Sequence, residues 1–195
     1  MTRQWFEDTF KMYLDEIDRC VEGKCYWALL HLVLVLPDVC AAMETDSGTT
    51  EGKLYREWCE KYLADPLVTP EDWYQMRCGV LHQGRTIDDK QKSQYTRFAF
   101  NQPSVGIVHR NVMHTEQDKI LQLDVGEMAN ELRVAMNKWF EVLSKNEDPR
   151  IVRNVTHHVE ALVRLQDYPA MPIAMNIPTM LSFTTSSPWT PPPST

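Results

Sequence analysis

The sequence predicts an all-α bundle with a small β-hairpin or three-stranded excursion ahead of a long closing helix. Three separated features predict it. Phe6, Phe10, Tyr13, Leu14, Ile17 and Val21 recur at spacings of three and four, the mark of a helix with one buried stripe. Thr69-Pro70-Glu71-Asp72 is a helix start: a hydroxyl cap, a proline in the first turn, and carboxylates facing the positive helix end. Asp124-Val125-Gly126-Glu127 resembles a capping box, and Met128, Leu132, Ala135, Met136, Trp139, Phe140 and Leu143 follow it at helical spacing.

The remaining elements follow in order. Gly23 turns the chain after the first helix. The stretch Cys25 to Met43 is nearly all apolar, too long for a normal strand and short of a convincing membrane span, so it reads as the central core helix. Its exceptions are His31 and Asp38. Pro37 lacks an N–H and crowds the preceding turn, so the helix is expected to kink or restart there, with Asp38 as a cap for the restart. Thr45 to Thr50 is a loop by composition, and Tyr55, Trp58, Cys59 and Tyr62 mark another amphipathic helix that ends by Pro66. The capped helix from Pro70 stops at Gly84. After a polar linker, Tyr95–Phe100 and Gly106–Met113 are strand candidates joined through Asn101-Gln102-Pro103-Ser104, with Lys119–Leu123 as a third. Pro149 breaks the closing helix pattern, and Ile151 to Leu165 suits one further helix. Residues 168–195 hold seven prolines and no Asp, Glu, Lys or Arg, which predicts an irregular tail. The expected organisation is a helical domain over 1–147 including the β excursion at 95–123, a short helical extension at 148–167, and the Pro-rich tail.

The 195 residues suffice to bury a core without staples. Twenty-seven acidic against twenty basic residues, a formal charge of -7, argue against a general double-stranded DNA binder and confine any RNA contact to a local positive patch. Met1-Thr2-Arg3-Gln4-Trp5-Phe6-Glu7-Asp8 lacks the apolar region of a signal peptide, so a cytoplasmic protein with no membrane association is expected. Cys20, Cys25, Cys40, Cys59 and Cys78 form neither a close metal-ligand pair nor an even disulfide set, and most are expected to be reduced core residues with no metal. His157 and His158 have no partners at ligand spacing.

The stretch Trp73 to Gly84 puts one cation and one titratable ring on a largely apolar helix. Arg77 can neutralise a phosphate, and His82, an imidazole with an ordinary pKa near 6.5, can exchange a proton. At 100° per residue the two point about 140° apart, so one copy does not place both groups side by side, although the long arginine side chain covers part of that separation. A second copy across a two-fold axis would complete a cleft with four groups. Tyr74 and Leu81 share the Arg77 side as edge packing, Cys78 lies between Arg77 and His82 in angle, Gly79 is expected to permit close approach of another helix, and Asp38 and His31 are supporting candidates from another helix. Such a cleft suits single-stranded RNA, whose 2′-hydroxyl is an internal nucleophile: His82 moves its proton, Arg77 stabilises charge on the phosphorus oxygens, and no cofactor is needed. His109, Arg110 and His114 form a second, weaker RNA-facing candidate edge.

The segment Arg77-Cys78-Gly79-Val80-Leu81-His82 resembles the Arg, four to six residues, His pattern of the HEPN superfamily, late in a helix of a helical bundle. The wider arrangement, His31–Leu36 with Pro37-Asp38-Val39-Cys40, then Tyr55 and Trp58, then Arg77–Gly84, is similar to bacterial HEPN-like proteins associated with mobile elements and defence. The resemblance covers roughly residues 5–147. It implies Arg77 and His82 as the catalytic pair of a metal-independent endoribonuclease acting on single-stranded RNA or tRNA at a composite homodimer site. It equally implies non-catalytic relatives that bind nucleotides or RNA, or serve as protein partners in defence and toxin–antitoxin systems, with an antitoxin as the partner. Where family members often carry Asn, Asp or His after the arginine, this chain has Cys78.

Overall fold

The computed structural model describes residues 1–86, 92–103 and 108–163. Six helices and three strands occur among them: α1 (Arg3–Glu22), α2 (Tyr26–Met43), α3 (Gly52–Tyr62), α4 (Pro70–Gln83), β1 (Arg97–Asn101), β2 (Asn111–His114), β3 (Lys119–Asp124), α5 (Val125–Ser144) and α6 (Pro149–Glu160). This is the mostly helical bundle with a small sheet that the sequence predicts. The irregular tail expected over 168–195 lies outside the described residues, as does the middle of the polar linker after α4.

The caps predicted at Thr69 and Asp124 both act in the structure. Thr69 accepts from the Asp72 N–H while Asp72 accepts from the Thr69 N–H, a complete capping box on α4. Asp124 accepts from Gly126 and Glu127 at the start of α5, and Asp148 accepts from Arg150 at the start of α6, where Pro149 occupies the first turn. Pro149 therefore begins a helix as well as ending a pattern.

Helix α2 is the hub, packed by α1, α3, α4, α5 and α6. Leu29, Leu30, Val33, Leu34, Leu36, Cys40 and Met43 are buried along it. By length and composition it would pass for a membrane span, and 56% of that window is buried inside the bundle, as a core helix requires. The expected restart at Pro37 is corrected: α2 runs unbroken through it, so Asp38 is an interior helix residue with no capping role. Packing around the buried Leu36, Pro37 and Cys40 holds the turn together despite the missing donor. In α1 the stripe is also corrected at one end, because Val21 is exposed and Cys20 takes the buried position.

The strands do not form a β1–β2 hairpin. β3 is central, with β1 parallel to it in the register Phe98 to Leu121 and β2 antiparallel in the register Val112 to Leu121. β3 leads directly into α5 through Asp124, which ties the sheet to the bundle. Trp139 and Phe140 are buried core residues as expected, and the Trp139 indole donates to Glu44 at the end of α2. Asn154 of α6 donates to the Glu44 carbonyl and to Asp46, docking α6 on the same end.

Candidate functional site

Both ends of α4 are held in place. At its start the Asp72 carboxylate, fully buried, accepts from the Thr69 N–H and hydroxyl, the Ser93 hydroxyl, and the Gln94 N–H and side-chain amide. One carboxylate thus joins the helix N-terminus to the segment leading into β1. At its end Gly84 adopts φ +61°, which stops the helix without a Cβ clash. A Cβ on Gly79 would meet the Arg85 carbonyl at 2.7 Å, so glycine there lets the departing chain fold back onto the last turn.

Between these ends Arg77 bridges two helices and reaches His82. Its Nε donates to Asp38 Oδ2 at 2.8 Å, with the two side chains 22% and 12% exposed. Its Nη1 lies 2.7 Å from His82 Nε2. Arginine has only donors, so the imidazole Nε2 in this contact accepts and carries no proton, and a neutral ring in that state carries its hydrogen on Nδ1. The expectation that one copy keeps the two groups apart is corrected. Five residues of helix rise about 7.5 Å, and the long arginine side chain wraps around the helix to close the remaining angular separation.

The electrostatics follow from this placement. Burial pushes the Asp38 carboxyl above its ordinary value, opposed by the Arg77 hydrogen bond and charge and by His82. Burial also works to lower the Arg77 guanidinium, but the Asp38 hydrogen bond and charge, with Cys78, outweigh it and hold the group above its ordinary value. The Cys78 side chain also contacts the Tyr74 hydroxyl, and this contact, then burial, raises the Tyr74 phenol. His82 itself is exposed.

Of the sequence candidates, Asp38, Arg77, Cys78, Tyr74 and His82 are thus one connected group. His31 is engaged elsewhere: its Nδ1 lies 2.7 Å from the Trp27 carbonyl and its ring meets the Trp27 indole edge-on. Two cations escaped sequence reasoning. Arg56 lies over the Tyr74 ring at 4.5 Å and pairs with Glu71, and exposed Arg85 follows the Gly84 cap. Neither carries a pattern that would single it out in a one-dimensional reading.

The second candidate edge is committed internally. His109 accepts from the Asp124 N–H through Nδ1 and meets Glu131 through Nε2, while Arg110 pairs with both Asp65 and Glu131. His114 remains exposed on β2. His158 bonds the Thr45 carbonyl. A cavity of about 410 Å³ between the end of α2, α3 and α6 is lined by Glu44, Asp46, Trp58, Lys61, Tyr62 and Arg150 among others, and by neither Arg77 nor His82. Among the described residues no group of three or more His, Cys, Asp or Glu side chains is arranged to hold a metal. Compared with family models, curated proteins and solved structures, the chain matches none.

Proposed function

We propose that Arg77 and His82 are the working pair of a metal-independent endoribonuclease that cleaves single-stranded RNA by attack of its own 2′-hydroxyl. The observation that carries this reading is the 2.7 Å contact between an anchored guanidinium and an exposed imidazole. The similarity of Arg77–His82 to the Arg-x4–6-His pattern of the HEPN superfamily supports it. In the reaction a phosphate takes the Arg77 donors, which frees His82 Nε2 to accept the 2′-hydroxyl proton. The 2′-oxygen bonds to phosphorus, the bond to the 5′-oxygen breaks, and that oxygen leaves with a proton. The products are a 2′,3′-cyclic phosphate and a 5′-hydroxyl end. A homodimer would supply the second imidazole as the acid for the leaving oxygen, and single-stranded RNA or tRNA is the substrate class.

A specific observation favours a second reading. Asp38 already pairs with Arg77, which weakens the guanidinium as a charge stabiliser and suits a non-catalytic module: one that binds nucleotide or RNA through its remaining donors, or meets a protein partner in a defence or toxin–antitoxin system. The test is purified protein with labelled cellular RNA and tRNA in EDTA, scored for cyclic-phosphate ends. Cleavage lost in both Arg77→Ala and His82→Ala supports the enzyme. Binding without cleavage in the wild type supports the second reading.

A further inference from the structure

The turn between α1 and α2 holds two cysteines in a fixed relation. The Cys25 N–H donates to the Cys20 carbonyl at 2.8 Å and the Lys24 N–H to the Val21 carbonyl at 3.2 Å. Lys24 adopts φ +56°. Together these make a Schellman helix end, a motif in which the side chains at the positions of Cys20 and Cys25 face each other across the turn and are frequently in contact. The 2.8 Å bond sets a limit on their separation. A Cα lies about 1.46 Å from its own nitrogen and about 2.4 Å from its own carbonyl oxygen, so the two Cα atoms are at most about 6.7 Å apart, inside the range of about 4.4–6.8 Å that disulfides span.

The two thiols differ in access. Cys25 is exposed, while Cys20 is 4% exposed. Burial first, then Glu16 and the Cys25 sulfur, push the Cys20 thiol above its ordinary value, which places both sulfurs in one electrostatic neighbourhood. Cys20 also lines a surface groove of about 530 Å³ with Trp27, His31 and Leu81, the last adjacent in sequence to His82.

We propose that Cys20 and Cys25 are a redox modification site at which a hydroperoxide converts the two thiols to a disulfide. The Cys25 thiolate attacks the peroxide, the O–O bond breaks, and Cys25 becomes a sulfenic acid as the alcohol or water leaves with a proton. The Cys20 sulfur then attacks the Cys25 sulfur; the S–O bond breaks, and hydroxide leaves as water with the Cys20 proton. Two thiols lose two electrons in total and one peroxide gains them. A dithiol reverses the bond.

The full chain is treated with hydrogen peroxide, denatured with a maleimide present, and digested with trypsin without reductant. Trypsin cuts after Arg19 and Lys24, so the disulfide joins the five-residue peptide beginning at Cys20 to the peptide beginning at Cys25. The joined species is expected to rise with peroxide dose and to vanish when dithiothreitol precedes alkylation. Cys20→Ser, checked for helix content by circular dichroism, should instead send Cys25 to sulfinic acid or to an interchain disulfide, and Cys25→Ser should leave Cys20 reduced. Wild-type Cys25 that is overoxidised or crosslinked between chains while Cys20 is recovered as the maleimide adduct overturns the proposal.

Discussion

Arg77 Nη1 lies 2.7 Å from His82 Nε2 although their positions on α4 diverge by about 140° around the helix axis. The contact assigns the unprotonated nitrogen of the ring, so it has a spectroscopic signature. Nitrogen NMR of the neutral His82 imidazole is expected to show the Nδ1–H tautomer, and Arg77→Met is expected to restore the mixture typical of a free side chain. An unchanged spectrum in the variant would show that Arg77 does not set the ring.

In the cleavage assay, His82→Ala and Arg77→Ala are each expected to lower the rate by about 10²–10⁴-fold, the usual range for a lost proton-transfer group or charge-stabilising donor. Circular dichroism and thermal melting should show that the His82 variant keeps its fold, since the side chain is exposed. Equal rates in wild type and both variants would assign any cleavage to another site.

Asp38 gives a pH prediction with a definite sign. Its carboxyl is held above the ordinary value, chiefly by burial. The folded chain therefore binds the Asp38 proton more tightly than the unfolded chain does. That contribution to stability is complete below the ordinary carboxylate value of about 3.9 and is lost as pH rises through the raised folded value. Asp38→Asn behaves as a permanently uncharged group. Its unfolding free energy minus that of wild type, measured by urea titration at several pH values, should grow more favourable as pH rises through that window. A difference that moves the other way would mean that the Arg77 pairing outweighs burial.

Asp72 accepts from five donors on three residues, its cap partner Thr69 together with Ser93 and Gln94. Asp72→Ala removes a capping box and strands buried donors, and should cost about 2–3 kcal/mol in urea unfolding. Asp72→Asn keeps one acceptor oxygen and should cost less. A loss under about 0.5 kcal/mol, the size of an ordinary surface change, would show that water replaces the clasp.

Burial raises the thiols of Cys40 and Cys59 and the phenol of Tyr55 well above their ordinary values. The unfolded chain releases these protons in the ordinary thiol and phenol range, about 8.5 to 10, while the folded chain keeps them. Stability should therefore fall as pH rises through that range, and Cys59→Ala should make the fall shallower. Maleimide labelling of the native protein at alkaline pH should mark Cys25 before Cys40 or Cys59. Early labelling of either buried thiol would indicate local opening of α2 or α3.

Local chemistry in this chain was legible because its causes lie within a few residues. Thr69 and Asp72, Asp124 and its N–H partners, and Gly84 act over one helical turn, so their roles can be read from type and spacing. The buried stripe of α1 is a periodicity and the apolar run of α2 a matter of length and composition, and Arg77 and His82 were visible as a cation and a titratable ring on a largely apolar helical stretch. Tertiary packing decided the rest. Pro37 stays inside a helix because it and Leu36 are buried against the packed bundle, and the sheet takes the order β1-β3-β2 because β1 pairs with β3 across an intervening strand. Asp38 meets Arg77 across 39 positions of sequence, a distance over which no periodicity operates. That pairing arises only when α2 and α4 pack together, since burying a guanidinium requires a carboxylate within hydrogen-bond reach and chain order alone does not specify which one.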